Sequence, residues 1–79
     1  MITIVPDPTY DKQHLVLWKG KRFGIIEEAT YASVDDPIQF DFHDDEFGFR
    51  HHSSTLDECL SKIRESFANP YVVSEVERR

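Results

Sequence analysis

The feature that most constrains the fold is a pair of apolar runs, residues 14–19 (HLVLWK) and 23–28 (FGIIEE), on either side of Gly20. Glycine adopts the positive φ that a tight turn needs, so the two runs predict an antiparallel hairpin. Apolar residues reach both faces of this hairpin, because successive side chains of a strand point to opposite faces. Each face therefore needs a covering layer or remains partly exposed.

The register of this hairpin decides which side chains share a face. Placing Trp18 opposite Phe23 and Val16 opposite Ile25 puts these four residues together. The other face then carries Leu15, Leu17, Gly24 and Ile26. The register does not decide which of the two faces the helix covers, and Leu15, Leu17 and Ile26 are the candidate apolar interface.

A second hairpin is predicted because apolar and polar residues alternate in 38–42 (IQFDF) and again in 47–50 (FGFR). A four-residue loop between them pairs two phenylalanines of one strand with two of the other. These pairs are Phe42 with Phe47 and Phe40 with Phe49. Residues 2–5 (ITIV) add a short first strand, which ends where the prolines begin.

One helix is predicted to start at Thr55, because Thr55 and Glu58 match a capping box. An apolar stripe at helical spacing follows. It consists of Leu56, Cys59, Leu60, Ile63 and Phe67. Asn69-Pro70 is predicted to stop the helix near residue 68. Residues 71–73 then predict a short edge strand, and residues 74–79 a frayed tail.

Together these elements predict one α+β domain over residues 1–79. It has a small antiparallel sheet, made of two hairpins and the N-terminal strand, with the C-terminal helix packed on one face. A chain of 79 residues leaves no room for a second domain. A helix of about 14 residues, roughly 20 Å long, covers only one side of such a sheet. The apolar residues on the other side are therefore predicted to form an interaction surface.

The whole chain has a net charge of −6, and its negative charge is concentrated in one segment. Residues 27–46 contain eight acidic side chains and no lysine or arginine. The eight predicted partner-binding residues are Glu27, Glu28, Asp35, Asp36, Asp41, Asp44, Asp45 and Glu46. Acidic surfaces repel phosphate, so we expect a protein partner with a basic surface and no direct contact with nucleic acid. The alternative is that these acids only keep a small domain soluble.

The strongest candidate for catalysis is residues 41–52, which hold three histidines and four acids. In the predicted hairpin His51 lies roughly 13 Å from His43, at the usual rise of a strand, and His51 and His52 point to opposite faces. No spaced His or Cys pair supplies further zinc ligands. We therefore predict no metal, no cofactor and no catalytic residue. A metal-dependent enzyme built on this segment is the weakest of the alternatives.

The remaining reactive groups also have structural explanations. Cys59 falls on the apolar stripe, where a thiol behaves as a small buried hydrophobe. The basic turn of residues 19–22 lacks the glycine pattern of a phosphate loop, which favours a solvated turn. A single cysteine cannot form an internal disulfide, and no apolar run reaches the roughly 20 residues of a membrane span. We therefore expect a cytoplasmic protein without a membrane segment.

In size, charge and predicted architecture the chain resembles small phage-borne inhibitors, including anti-CRISPR proteins, which are often short, acidic and cysteine-poor. The likeness covers the whole chain as a type and has no diagnostic residue. It implies a non-enzymatic module that occupies a basic surface of a nucleic-acid-processing protein and inhibits it. The alternative is a small structural or regulatory subunit that homodimerises or docks through its apolar sheet face.

Overall fold

The computed structural model describes residues 2–30, 38–46 and 50–78. Their elements, in chain order, are β1 (Ile2–Pro6), β2 (Gln13–Trp18), β3 (Lys21–Thr30), β4 (Ile38–Asp44), β5 (Arg50–Ser53), α1 (Leu56–Ser66) and α2 (Pro70–Glu77). The strands form one antiparallel sheet in the order β1-β2-β3-β4-β5, and α1 packs on β4 and β5. The predicted α+β fold class is confirmed.

The turn between β2 and β3 consists of two residues, Lys19 and Gly20, with φ values of 51° and 83°. Two successive positive φ values are typical of the type I′ turn, whose twist matches that of the flanking strands. Trp18 pairs with Lys21 across this turn. The predicted hairpin is confirmed, but the predicted pairing of Trp18 with Phe23 is wrong.

A β-bulge at Phe23 explains the difference in register. Val16 pairs with Gly24 whereas Leu17 pairs with Arg22, so Phe23 is an extra residue on β3. A bulge of this kind changes which residues of a strand share a face with its neighbour.

The bulge corrects the predicted grouping of Ile25 and Ile26. Ile25 pairs with Leu15 and Ile26 with His14, so Ile26 shares a face with Val16 while Ile25 lies on the opposite face. The register predicted from the sequence instead grouped Ile25 with Val16, and placed Ile26 on the opposite face. A shift of one residue exchanges the faces of every side chain that follows it.

Glycine at position 24 is required by the close approach of β4. A Cβ atom on Gly24 would lie 2.6 Å from the carbonyl oxygen of His43 and 2.6 Å from Cε1 of Phe42. Contacts this short do not occur between real side chains, so any larger residue would push β3 and β4 apart.

The register of the second hairpin also differs from the prediction. Phe42 pairs with His51 and Phe40 with Ser53, so the predicted pairing of Phe42 with Phe47 is wrong. In the structure β4 ends at Asp44 and β5 begins at Arg50, so five residues separate the two strands where the prediction has four. Residues 47–49, which include Phe47 and Phe49 of the predicted phenylalanine pairs, lie outside the described residues.

The hydrophobic core lies between the sheet and the two helices. Its buried members among the described residues are Val16, Phe23, Ile26, Phe42, Cys59, Ile63 and Val76. The ring of Phe23 packs against two other aromatic rings, with its centroid 5.9 Å from that of Phe42 and 4.9 Å from that of Phe67. The bulged residue therefore joins the strands to the end of α1.

The predicted start of α1 is confirmed at Thr55. Its Oγ1 accepts a hydrogen bond from the backbone N–H of Glu58 at 3.2 Å, as an N-cap does. Cys59 and Ile63, from the predicted apolar stripe, are the buried residues of this helix.

The prediction for the C-terminal segment is wrong, because residues 70–77 form helix α2 instead of an edge strand and a frayed tail. The Asn69 side chain accepts a hydrogen bond from the N–H of Tyr71 at 2.9 Å, and Pro70 occupies the first turn. Asparagine followed by proline is a start signal for a helix as well as a stop signal for the preceding one. Val76 is 4% exposed and fixes α2 to the core.

Candidate interaction surface

The sheet surface opposite the helices is called the open face here. In one row across the sheet, Val5 pairs with Leu15 and Leu15 with Ile25, while Leu17 lies in the next row, opposite Thr3. Paired residues share a face, and these rows alternate with the rows that enter the core. We call Val5, Leu15, Leu17 and Ile25 the aliphatic strip, and all four are partly exposed. Both described helices pack on the other face.

The structure divides the residues predicted for the apolar interface. Leu15 and Leu17 lie in the aliphatic strip, but Ile26 is 0% exposed and belongs to the core. Ile25, which the sequence analysis assigned to the other face, takes its place. The signal that could have corrected the assignment is Gly24 directly after Phe23, because glycine within a strand commonly marks a bulge.

Two oppositely charged residues of β3 border the aliphatic strip. Arg22 lies opposite Leu17 and Glu27 opposite Gln13, and both charged residues are exposed. The guanidinium of Arg22 donates to the carboxylate of Asp45 through Nε at 3.1 Å and Nη2 at 3.3 Å. The Arg22 and Asp45 side chains are 50% and 38% exposed, so this ion pair contributes only about 0–1 kcal/mol to stability.

Asp41 is one of two buried acids among the described members of the set, the other being Asp44. Asp41 pairs with Glu27 on one side and His52 on the other, is 8% exposed, and has a short hydrogen bond between its Oδ1 and Nδ1 of His52. Lys62 of α1 donates to the carbonyl oxygen of His52 at 2.5 Å. These contacts tie β4, β5 and α1 together, which favours a structural role for Asp41.

The predicted acidic set therefore does not form one uniform surface. Asp44 is 9% exposed and accepts a hydrogen bond from the N–H of Glu46 at 2.8 Å, and Asp45 pairs with Arg22. The exposed members among the described residues are Glu27, Asp45 and Glu46, with Glu28 partly exposed. Asp35 and Asp36 lie outside the described residues.

Two of the three histidines of residues 41–52 lie on the open face and the third lies on the helix face; His52, opposite Asp41, is on the open face. His43 pairs with Ile25 and Arg50 on the open face, whereas His51 pairs with Phe42 on the helix face. Among the described residues, no group of three or more His, Cys, Asp or Glu is placed to hold a metal ion.

His51 and Ser66 form a pair that the sequence analysis did not identify. Nε2 of His51 lies 3.1 Å from Oγ of Ser66, and that hydroxyl donates to the carbonyl oxygen of Lys62 at 3.2 Å. These contacts join β5 to α1. Burial, followed by the nearby Lys62, lowers the pKa of His51.

The thiol of Cys59 lies in the core, as the sequence analysis predicts. The residue is 0% exposed, and burial raises its pKa to about 11. A thiol that stays protonated is a poor nucleophile.

Comparison with protein families, curated proteins and solved structures finds no match to this chain. Neither described helix is long and apolar enough to cross a membrane. Any assignment of function therefore depends on the geometry of the sites above.

Proposed function

We propose that this chain is a non-enzymatic protein-binding module that contacts its partner through the open face. The observation that carries the proposal is the aliphatic strip, four partly exposed aliphatic residues on three neighbouring strands. Contiguous apolar surface on a small protein commonly marks a binding site, since covering it removes apolar area from water.

We propose further that the partner has a basic surface and that binding inhibits a nucleic-acid-processing protein, as the likeness to small phage-borne inhibitors implies. A net charge of −6 favours such a surface, and Glu27 stands next to the aliphatic strip. The proposal places the chain in the cytoplasm, where a buried thiol such as Cys59 stays reduced.

The decisive experiment is affinity capture with three forms of the tagged chain: wild type, Leu17→Asp and Tyr71→Asp. Tyr71 is 81% exposed on α2, on the helix side of the molecule, so Tyr71→Asp adds the same charge away from the open face. Proteins retained by wild type and Tyr71→Asp, but lost with Leu17→Asp, support the proposal. Far-UV circular dichroism confirms that each variant is folded. Equal retention by all three forms rules out the open face as the contact.

The charge component is tested separately with the captured partner. Exposed charges at the rim of an interface act mainly on association rate, and salt screens them beyond about 8 Å at physiological ionic strength. Glu27→Lys should therefore slow association at low salt and have little effect at high salt. A rate that depends neither on salt nor on residue 27 refutes the basic partner but leaves the aliphatic contact intact.

A further inference from the structure

We propose that the open face also pairs with the open face of a second copy, giving a two-fold homodimer when no other partner is present. This inference rests on the proposed function, because it uses the same surface, and it names one occupant of that surface. In a two-fold interface the same patch serves both copies, so one contact covers both aliphatic strips.

The order of side chains on β3 carries this inference. On the open face β3 presents a base, an aliphatic residue and an acid in turn, namely Arg22, Ile25 and Glu27. Their partners on β2 are Leu17, Leu15 and Gln13, which are spaced two residues apart. Arg22 and Glu27 therefore lie at equal distances of roughly 7 Å on either side of the Ile25 row, at the usual rise of a strand. The bulge at Phe23 creates this symmetry.

A two-fold axis along the row of Val5, Leu15 and Ile25, perpendicular to the strands, makes this pattern self-complementary. It places Ile25 of the two copies together and sets Arg22 of each copy over Glu27 of the other. Two sheets stacked in this way have their strands nearly aligned, as in β-sandwiches, where facing side chains interdigitate across about 10 Å. The dimer then has two Arg22–Glu27 pairs between the copies, one at each end of the aliphatic contact.

The same axis makes an opposing prediction at the edge of the sheet. His43 and Arg50 continue the Ile25 row onto β4 and β5, so the axis brings Arg50 of one copy toward Arg50 of the other. Like charges facing each other oppose association. Arg50→Gln should therefore strengthen the dimer, a result that a dimer formed through any other surface does not predict.

Sedimentation equilibrium of the purified chain measures the dimer directly. We expect the average mass to rise from one chain to two as the concentration is raised to millimolar. Leu17→Asp should abolish the rise, while Tyr71→Asp should leave it unchanged. A wild-type chain that stays monomeric over this range overturns the inference, and so does a Leu17→Asp variant that dimerises as well as wild type.

Charge exchange identifies the axis. Arg22→Glu and Glu27→Arg should each weaken the homodimer by about tenfold, because each change turns both interfacial pairs into repulsive ones. Mixing the two variants restores opposite charges at both ends, so the mixture should form heterodimers at least as strong as the wild-type dimer. The new carboxylate at position 22 also faces Asp45 within its own chain. This repulsion is the same in the Arg22→Glu variant by itself and in the mixture, so a difference in dimer strength between the two comes from the interface. Failure of the mixture to recover dimer refutes this axis.

These results separate the inference from the proposed function. If the chain remains monomeric while Leu17→Asp still loses the captured protein, the dimer is refuted and the proposed function stands. If the dimer forms through this axis while Leu17→Asp retains every captured protein, the dimer stands and the proposed function is refuted.

Discussion

The neighbouring residues Ile25 and Ile26 offer the sharpest test of this structure, because the bulge sends them to opposite faces. Ile26 is 0% exposed in the core, so Ile26→Ala should lower the free energy of unfolding by about 2–5 kcal/mol, through lost transfer energy and a cavity. Ile25 is partly exposed on the open face, and Ile25→Ala should cost only about 1 kcal/mol. The register predicted from the sequence groups Ile25 with Val16 and Trp18 and gives the opposite order.

Guanidinium unfolding followed by circular dichroism measures both variants, each against wild type. Thermal melts should agree, with a loss of about 4–8 °C for each kcal/mol in a domain of this size. The chain is kept dilute, because a dimer through the open face would add a concentration-dependent contribution at Ile25. If Ile25→Ala is as destabilising as Ile26→Ala at low concentration, the bulge and the assignment of the open face are both wrong.

Three further predictions follow from described contacts. Thr55→Ala should destabilise the protein by about 1 kcal/mol in the same unfolding assay, because it removes the N-cap of α1; no loss would contradict the cap. The folded pKa of His51 lies below its usual value of 6.5, so the unfolded chain binds the proton more readily and stability should fall as pH drops below 6.5. His51→Gln should flatten that pH profile, and an unchanged profile would assign the effect to another group. Cys59 should resist alkylation at pH 8 until the chain unfolds, because burial raises its pKa to about 11; rapid labelling of the native protein would contradict its place in the core.

Local sequence signals predicted the helices and strands of this fold better than the register in which the strands pair. The first hairpin and the start of α1 are confirmed because each depends on neighbouring residues, a glycine at the turn and the Thr55 cap. The strand registers are wrong because they depend on where the chain departs from regular alternation. Gly24 marks the place where β3 departs from it, and the close approach of β4 at 2.6 Å shows why glycine is needed there.

The error at the C-terminus has a different cause. Asn69-Pro70 ends one helix and begins the next, but the predicted edge strand and tail took account of the first property alone. An isolated helix of eight residues is marginal in water, so local propensity gives little reason to expect it. Val76, buried in the core, and Glu77, which accepts hydrogen bonds from Trp18 and Lys19, supply contacts from residues distant in sequence. Such contacts cannot be predicted until the position of α2 relative to the β2–β3 turn is known.

The same limit applies to the candidate binding surface, where charge counted along the chain differs from charge available to a partner. Eight acids in residues 27–46 suggest a uniform acidic surface, yet the fold directs Asp41 into a buried contact with His52 and turns Asp44 back onto its own backbone. To contact a partner, Asp41 and Asp44 would first have to break these hydrogen bonds. The free-energy cost of that step exceeds what an exposed charge at the rim of an interface contributes. Glu27 differs from these two acids, because it is exposed beside Ile25 on the open face. If the proposed function holds, recognition should therefore depend on how the charge of β3 is arranged around the aliphatic strip, and the net charge should matter mainly for solubility and the rate of encounter.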